Sequence, residues 1–269
     1  MLILLDPTRH PVIGHRGAAG AAPENTLESL QLAVAEGADA VEFDVRLSAE
    51  GVPVLLHDPV LDRTTNGGGP VAEGTTSRLA GLDAGYRFTP DGGVTYPWRG
   101  KGVRVPTLRS VLSALSTIPL LIELKTADAA GPVLRLLLEH EAAERVVVAS
   151  FLEAALAPFR GTPIPTSASQ PRILRRWLLS ALRLPWPRSP DRAYSVPDRY
   201  RDRVSVPTRA FIRAARRGGC PVHVWTVDDP ARAAVLWARG ACGMVSNFPA
   251  RLLGERDRLF PAEARAQKP

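Results

Sequence analysis

Residues 119–150 read PLLIELKTADAAGPVLRLLLEHEAAERVVVAS and contain one complete unit of the pattern that decides the fold. The apolar runs at residues 119–124 and 145–150 have the length and composition of buried strands. Residues 130–141, between these runs, follow a helical pattern. A strand, a helix and a second strand in this order predict a parallel βαβ unit.

The same alternation extends over the whole chain. Strands are predicted at residues 11–15, 40–45, 119–124, 145–150, 163–167, 193–196, 221–225 and 243–245. Helices are predicted at residues 25–37, 107–115, 130–141, 152–159, 171–182, 207–217, 230–238 and 249–258. Because eight strands alternate with helices over 269 residues, we expect an α/β fold, a single (β/α)8 TIM barrel spanning residues 1–269.

Residues 58–104 depart from this regular spacing. They are rich in Gly and Pro, as in TTNGGGPV, TPDGGV and YPWRG. A compact barrel seldom contains so long an irregular connection unless it is functional. We expect a small insertion after strand 2 that lies over the C-terminal rim, preceded by a short extra strand at residues 52–56. Residues from about 262 onward are expected to be disordered.

Composition limits the class of protein without identifying it. Lys+Arg total 34 against Asp+Glu 27, a net charge of +7, which favours anionic partners but does not separate a phosphodiester from nucleic acid or a phospholipid surface. The two cysteines, Cys220 and Cys242, lack the spacing of a zinc site. The first residues lack the pattern of a signal peptide, and no apolar run approaches the roughly 20 residues that span a bilayer. A soluble, cytoplasmic protein is therefore expected.

Polar residues that could bind a ligand or take part in catalysis follow the first predicted strands. His15 and Arg16 stand where strand 1 ends, and Asn25 stands just before the first helix. The C-terminal strand ends of an α/β barrel form its active site, so one ligand can contact both His15 and Arg16. Arginine suits phosphate because its planar fork donates two hydrogen bonds. His57 follows the next extended run, close enough in sequence to reach the same rim.

Three carboxylates are predicted to converge near these residues. Glu42 and Asp44 share one face of strand 2 by the two-residue period, and Glu123 and Lys125 share one face of strand 3. Buried carboxylates require a positive partner. An all-oxygen cluster suits one hard divalent cation, Mg²⁺ or Ca²⁺. The alternative is a metal-free network in which Lys125 and Arg16 neutralise the acids.

The motifs in their order resemble the glycerophosphodiester phosphodiesterase family over nearly the whole chain. They are HRG, PENT, the E-x-D pair, HD, LDRTTNGGGPV, LAGLDAGYRF, VPTL, the E-x-K pair, VASF, VWTVDD and GMVSNFP. The resemblance implies an acid/base pair, His15 and His57; metal ligands, Glu42, Asp44 and Glu123; phosphate contacts, Arg16 and Lys125; an apolar wall, Trp225; and a further substrate contact, Asn25. The sequence departs from the family at Asn247, where an aspartate is frequent.

The resemblance also implies the reaction, hydrolysis of a small-molecule glycerophosphodiester to sn-glycerol 3-phosphate and an alcohol. The order of the two histidines stays open, as does the choice between water and the substrate's own hydroxyl as nucleophile.

Two other functions compete with this reading. The segment WLLSALRLPWPRSP, which starts at Trp177, could contact a lipid surface transiently in a lysophospholipase D. An ordinary helix with its apolar stripe packed on the barrel and its arginines in solvent is favoured there. An arginine-rich stretch from Arg172 to Arg217 suggests an anionic-polymer binder, but Asp191, Asp198 and Asp202 interrupt it and no nucleic-acid fold accompanies it, so no nucleic acid is expected.

Overall fold

The computed structural model describes residues 1–187, 190–201 and 203–261, and the expectation of disorder from residue 262 lies outside these residues. The strands are β1 Val12–His15, β2 Ala40–Leu47, β3 Pro53–Leu55, β4 Leu120–Leu124, β5 Val146–Ala149, β6 Tyr194–Pro197, β7 Arg199–Tyr200, β8 Val204–Ser205, β9 Val222–Trp225 and β10 Met244–Ser246. The α-helices are α1 Leu27–Ala35, α2 Thr76–Gly81, α3 Leu108–Ala114, α4 Ala130–Glu139, α5 Glu153–Leu156, α6 Gln170–Ala181, α7 Arg209–Arg217, α8 Pro230–Ala238 and α9 Pro249–Leu259.

The sheet is the predicted α/β barrel. Its parallel order is β5-β4-β2-β1-β10-β9-β6, and β3 adds to β2 in the antiparallel sense. The gap between β5 and β6 is closed by two isolated parallel bridges, Val148 to Thr166 and Ser167 to Ala193. The strand predicted at residues 163–167 is therefore reduced to these bridges, and the chain forms a (β/α)8 barrel.

Local sequence signals fix where several helices begin. The hydroxyls of Thr26, Thr107 and Thr208 accept hydrogen bonds from backbone amides in the first turns of α1, α3 and α7. Asp229 caps α8 in the same way and is followed by Pro230. Such caps satisfy amides that the helix itself leaves unpaired.

Apolar residues fill the barrel interior and seal its N-terminal end. Leu4, in a 3₁₀ turn at Ile3–Leu5, is fully buried and packs in one cluster with interior residues such as Leu121 and Val245. The imidazole of His223 contacts the carbonyl oxygen of Leu4 through Nε2 at 2.8 Å. The side chain of His223 is fully buried, so this histidine is a packed, hydrogen-bonded residue of the interior.

The long connection after β3 has a core of its own. It contains a 3₁₀ turn at Val71–Glu73 and the helix α2. Leu61, Val71, Leu79 and Val103 are buried in one cluster there. The indole Nε1 of Trp98 donates to the carbonyl oxygen of Ala21 at 3.3 Å, which joins the connection to the loop that follows β1.

Helix α6 differs from the ordinary packing helix predicted for this segment. Ile173 and Trp177 pack on the core, but Leu174, Leu178 and Leu182 are exposed. Arg176, predicted to be solvated, is instead buried, because its guanidinium lies over the ring of Trp186 at 5.2 Å.

The first arginine of the arginine-rich stretch also has a structural use. Arg172 bonds to Asp191 at 2.6 Å and to Glu153. Asp202, one of the acids that interrupt the stretch, lies outside the described residues.

Within the described residues no helix is both long and apolar enough to cross a membrane.

Candidate active site

A pocket of about 100 Å³ opens where the parallel strands of the barrel end. Seven polar or aromatic residues predicted from the sequence line it: His15, Arg16, Glu42, His57, Glu123, Lys125 and Trp225. The strand register explains this convergence, because His15 on β1 pairs with Glu42 on β2, and Asp44 on β2 pairs with Glu123 on β4. Neighbouring strands lie only about 4.8 Å apart, so these side chains are adjacent.

Glu42, Asp44 and Glu123 form a compact carboxylate cluster. One ligand atom from each lies within 4.8 Å of the others. Two cations also reach the cluster. Lys125 Nζ lies 2.8 Å from Asp44 Oδ1 and 2.6 Å from Glu123 Oε1, and Arg16 Nε lies 3.0 Å from Asp44 Oδ2.

The electrostatics of the cluster are unbalanced, because three acids face two cations. Burial, followed by the charges of Asp44 and Glu123, raises the pKa of Glu42 well above its ordinary value. The pKa of Glu123 is also raised, first by burial and then by Asp44, although Lys125 acts in the opposite direction. Burial would raise the pKa of Asp44 too, but Lys125 and Arg16 lower it. The two cations therefore stabilise the charged form of Asp44 more than those of Glu42 and Glu123.

The cluster has the chemistry of a site for a hard divalent cation. Arg16 and Lys125 lower the pKa of Asp44, but the pKa values of Glu42 and Glu123 stay raised, first by burial, so a bound cation would stabilise their charged forms. The three acids supply only oxygen ligands, the donor type that Mg²⁺ and Ca²⁺ prefer. Of the predicted ligands, Asp44 lies deepest, with 1% of its surface exposed.

Asn25 lies beneath the pocket and not in its lining. Its Nδ2 donates to Asp44 Oδ2 at 2.9 Å, and its Oδ1 accepts from the Asp44 amide at 3.0 Å. The side chain is 2% exposed. Its contacts therefore orient Asp44, and a contact of Asn25 with the substrate stays a prediction.

The turn that follows β1 is held in an uncommon backbone conformation. Arg16 and Asn25 both lie in the left-handed region, with φ of 51° and 58°. The Arg16 carbonyl accepts from the Asn25 amide and the Ser29 hydroxyl, each at 3.0 Å. Gly17 has φ of 89°, and a Cβ there would lie 2.4 Å from Ser29 atoms. The glycine of HRG is therefore required for close approach to α1.

His15 belongs to a chain of three side chains. Its Nδ1 lies 2.7 Å from Asn247 Oδ1, and Asn247 Nδ2 donates to Asp228 Oδ2 at 2.8 Å. Asp228 thereby fixes the amide orientation, so His15 must donate through Nδ1 and keep Nε2 free as an acceptor. Burial, and then the charge of Arg16, lowers the pKa of His15 below its ordinary value.

His57 is oriented by a charged partner. Its Nδ1 lies 2.6 Å from Asp58 Oδ1, and Arg63 Nε donates to Asp58 Oδ2 at 2.5 Å. Arg63 also donates to both oxygens of Glu24, which accepts from Arg16 at 2.7 Å. Burial lowers the pKa of His57, whereas Asp44 and Asp58 act in the opposite direction.

Several residues of the site were not assigned a role from the sequence. Phe151 and Ser195 line the pocket, and Phe151 meets Trp225 edge to face at 5.8 Å. Phe151 stands in the VASF motif just after β5, so its position at a strand end was a usable signal. Asp228 and Arg63 act through other side chains; they stand in the motifs VWTVDD and LDRTTNGGGPV, but the motifs do not indicate which side chains they contact.

Known proteins of one family are similar to this chain. The sequence model of the Glycerophosphoryl diester phosphodiesterase family matches residues 15–157, more than half of the chain. The Bacillus subtilis (strain 168) protein YhdW is 34% identical over 248 residues, which cover 88% of this chain and 94% of that protein.

Two solved structures are similar over nearly the full chain. The glycerophosphoryl diester phosphodiesterase domain of a Mycobacterium tuberculosis protein has a TM-score of 0.81 at 23% identity, covers 93% of this chain and 99% of that one, and supports the fold. An Oleispira antarctica phosphodiesterase in complex with the product sn-glycerol-3-phosphate has a TM-score of 0.72 at 27% identity and covers 92% and 96%. The family match and the relative together show that this chain belongs to the glycerophosphoryl diester phosphodiesterase family.

Proposed function

We propose that this phosphodiesterase hydrolyses glycerophosphodiesters to sn-glycerol 3-phosphate and an alcohol, with one divalent cation, Mg²⁺ or Ca²⁺. The observation that carries the proposal is that His15, His57, Arg16, Lys125 and two acids of the carboxylate cluster line one pocket. The related Oleispira antarctica enzyme was solved with sn-glycerol-3-phosphate, which favours the same product here.

The cation would be held by Glu42, Asp44 and Glu123, the three acids of the cluster. When bound, it supplies positive charge that stabilises the phosphoryl oxygens as charge develops in the transition state. Arg16 and Lys125 flank the same pocket and add fixed donors for a phosphate oxygen. Trp225 and Phe151 form an apolar wall of the same pocket.

We assign His15 as the general base and His57 as the general acid. Burial and Arg16 lower the pKa of His15, which favours the neutral imidazole, and its Nε2 accepts the proton of the attacking hydroxyl. Burial lowers the pKa of His57 overall, but its carboxylate partner, Asp58, favours the protonated form that an acid needs. As the phosphorus–oxygen bond to the alcohol breaks, Nε2 of His57 gives its proton to the departing oxygen.

The test is release of sn-glycerol 3-phosphate from glycerophosphocholine, glycerophosphoethanolamine and glycerophosphoglycerol. EDTA should abolish turnover, and Mg²⁺ or Ca²⁺ should restore it. His57→Ala should lower kcat by about 10²–10⁴-fold, the contribution of a positioned acid. Hydrolysis that is insensitive to EDTA would contradict the role of the cation. If none of these diesters is hydrolysed, the proposed function is wrong.

A further inference from the structure

A second cavity, an apolar groove of about 760 Å³, opens beside the catalytic pocket. Ile173, Leu174 and Trp177 of α6 form one wall, and Tyr200 and Val204 of the β7–β8 hairpin form the other. Its size is that of a small-molecule binding site. The hairpin follows β6 directly, so the groove belongs to the same rim as the catalytic residues.

The groove and the catalytic pocket are continuous. Phe151, Ser195 and Trp225 line both cavities. A molecule whose phosphate lies beside Arg16 and Lys125 can therefore extend past the two aromatic rings into the groove without leaving the protein surface.

The groove exposes large apolar side chains that a fold would otherwise bury. Phe151 is 39% exposed, Leu174 57%, Tyr200 45% and Val204 44%, and all four line this one cavity. Clustered exposure of this kind marks a binding site for an apolar group, whereas single exposed leucines need no explanation.

The charge at the groove selects the kind of apolar ligand. Arg199 and Arg201 are the charged side chains among the described residues that line it. A cationic apolar groove joined to a phosphate site favours an anionic amphiphile over a neutral hydrocarbon.

We propose that the groove binds the apolar chain of a single-chain phosphodiester whose phosphate is held in the catalytic pocket. This inference rests on the proposed function. A bond forms from the attacking water oxygen to phosphorus while the water gives a proton to His15, the bond from phosphorus to the alcohol oxygen breaks, and this oxygen receives a proton from His57. With the chain on glycerol, the products are an acylglycerol phosphate and the head-group alcohol. With the chain on the departing alcohol, they are glycerol phosphate and a long-chain alcohol.

The test uses two series of substrates below their critical micelle concentrations. The two series distinguish a chain on glycerol from a chain on the departing alcohol. One series carries ethyl, butyl, hexyl and octyl esters on glycerol phosphate, and the other carries acyl chains of rising length in lysophosphatidylcholine. In one series kcat/KM should rise about two- to fourfold per methylene, as expected for burial of apolar surface. The series that rises identifies the position of the chain.

Leu174→Gln places a polar group in the groove at an exposed position. It should lower kcat/KM for the longest chain about tenfold and leave glycerophosphocholine turnover unchanged. Leu178→Gln is the matched control, because Leu178 is an exposed leucine of the same helix that does not line the groove. It should retain the full chain-length dependence.

The outcomes separate this inference from the proposed function. Turnover of glycerophosphocholine with a flat chain-length profile in both series overturns the groove alone, whereas no turnover of any diester overturns the function. A flat profile together with a dimer that Leu174→Gln abolishes would assign the groove to a second copy of the chain. A flat profile together with binding to phosphatidylglycerol vesicles that Leu174→Gln abolishes would assign it to a membrane surface. Either outcome overturns the inference. A rising chain-length profile that Leu174→Gln leaves unchanged also overturns the inference.

Discussion

Asn247 controls His15 although it stands 232 positions away in the sequence. Asp228 accepts from the Asn247 backbone amide at 2.7 Å and from its side-chain Nδ2 at 2.8 Å, so the amide cannot turn over. A neutral oxygen therefore faces His15. The amide fixes the tautomer but stabilises the imidazolium less than a carboxylate would.

Changes at Asn247 should move the acid limb of the kcat/KM profile in opposite directions. Asn247→Asp, made together with Asp228→Asn so that two carboxylates do not face each other, adds negative charge beside His15 and raises the pKa of the base, so the limb should shift to higher pH by about one unit or more. Asn247→Ala removes a hydrogen bond that raises this pKa, so the limb should move down, and kcat should fall about tenfold because the ring loses its orientation. Profiles that overlay that of the unmodified enzyme would exclude a positioning role.

At the scale of elements, Arg63 joins the long connection after β3 to the turn after β1. It bonds to Asp58 next to the acid His57 and to Glu24 next to Arg16. The hydrogen bond from Arg63 is the largest cause that lowers the pKa of Asp58, to about 2. The connection therefore helps to hold His57 and Arg16 at one pocket.

Arg63→Gln should reduce kcat about tenfold, part of what a positioned acid contributes. Its effect on the free energy of unfolding should stay near 1 kcal/mol or less, roughly the range of exposed ion pairs. Arg104→Gln is the matched control, because Arg104 is exposed on the same connection and bonds only to backbone carbonyls there. Equal loss of activity in both variants, or a kcat unchanged by Arg63→Gln, would contradict the positioning role.

At the scale of the whole molecule, His223 links the barrel interior to the N-terminal turn. Burial lowers its pKa from 6.5 to about 4, and its Nε2 contacts the Leu4 carbonyl oxygen. The unfolded chain therefore takes up this proton at higher pH than the folded protein. The contribution is fully present above the unfolded value and is lost as the pH falls from 6.5 towards 4.

Acidification should destabilise the protein partly through this one residue. Between about pH 8 and about pH 5, His223 should contribute a loss of about 2 kcal/mol in the free energy of unfolding. His223→Gln retains a donor for Leu4 but cannot titrate, so urea unfolding at the two pH values should show a smaller difference. His140→Gln, at the C-terminal end of α4, should keep the original difference. An equal pH dependence in all three proteins would refute the assignment.

The sequence by itself determined the barrel and the residues at its strand ends. Alternating strand and helix patterns depend on the local periodicity of apolar residues, which the sequence shows directly. The two-residue period placed Glu42 with Asp44 and Glu123 with Lys125, and the family motifs named both histidines. Parallel strands in register then bring these side chains to one rim.

Only the tertiary structure decided what surrounds that rim. The Asp228–Asn247–His15 chain and the Arg63–Glu24 pair join residues far apart in sequence, and no local pattern encodes such a pairing. Asn25 contacts Asp44 because a left-handed turn directs it beneath the pocket. The strand predicted at residues 163–167 became two bridges, and the leucines of α6 became one wall of a groove, because the packing of neighbouring elements, and not the periodicity of a segment, fixes what is paired and what is exposed.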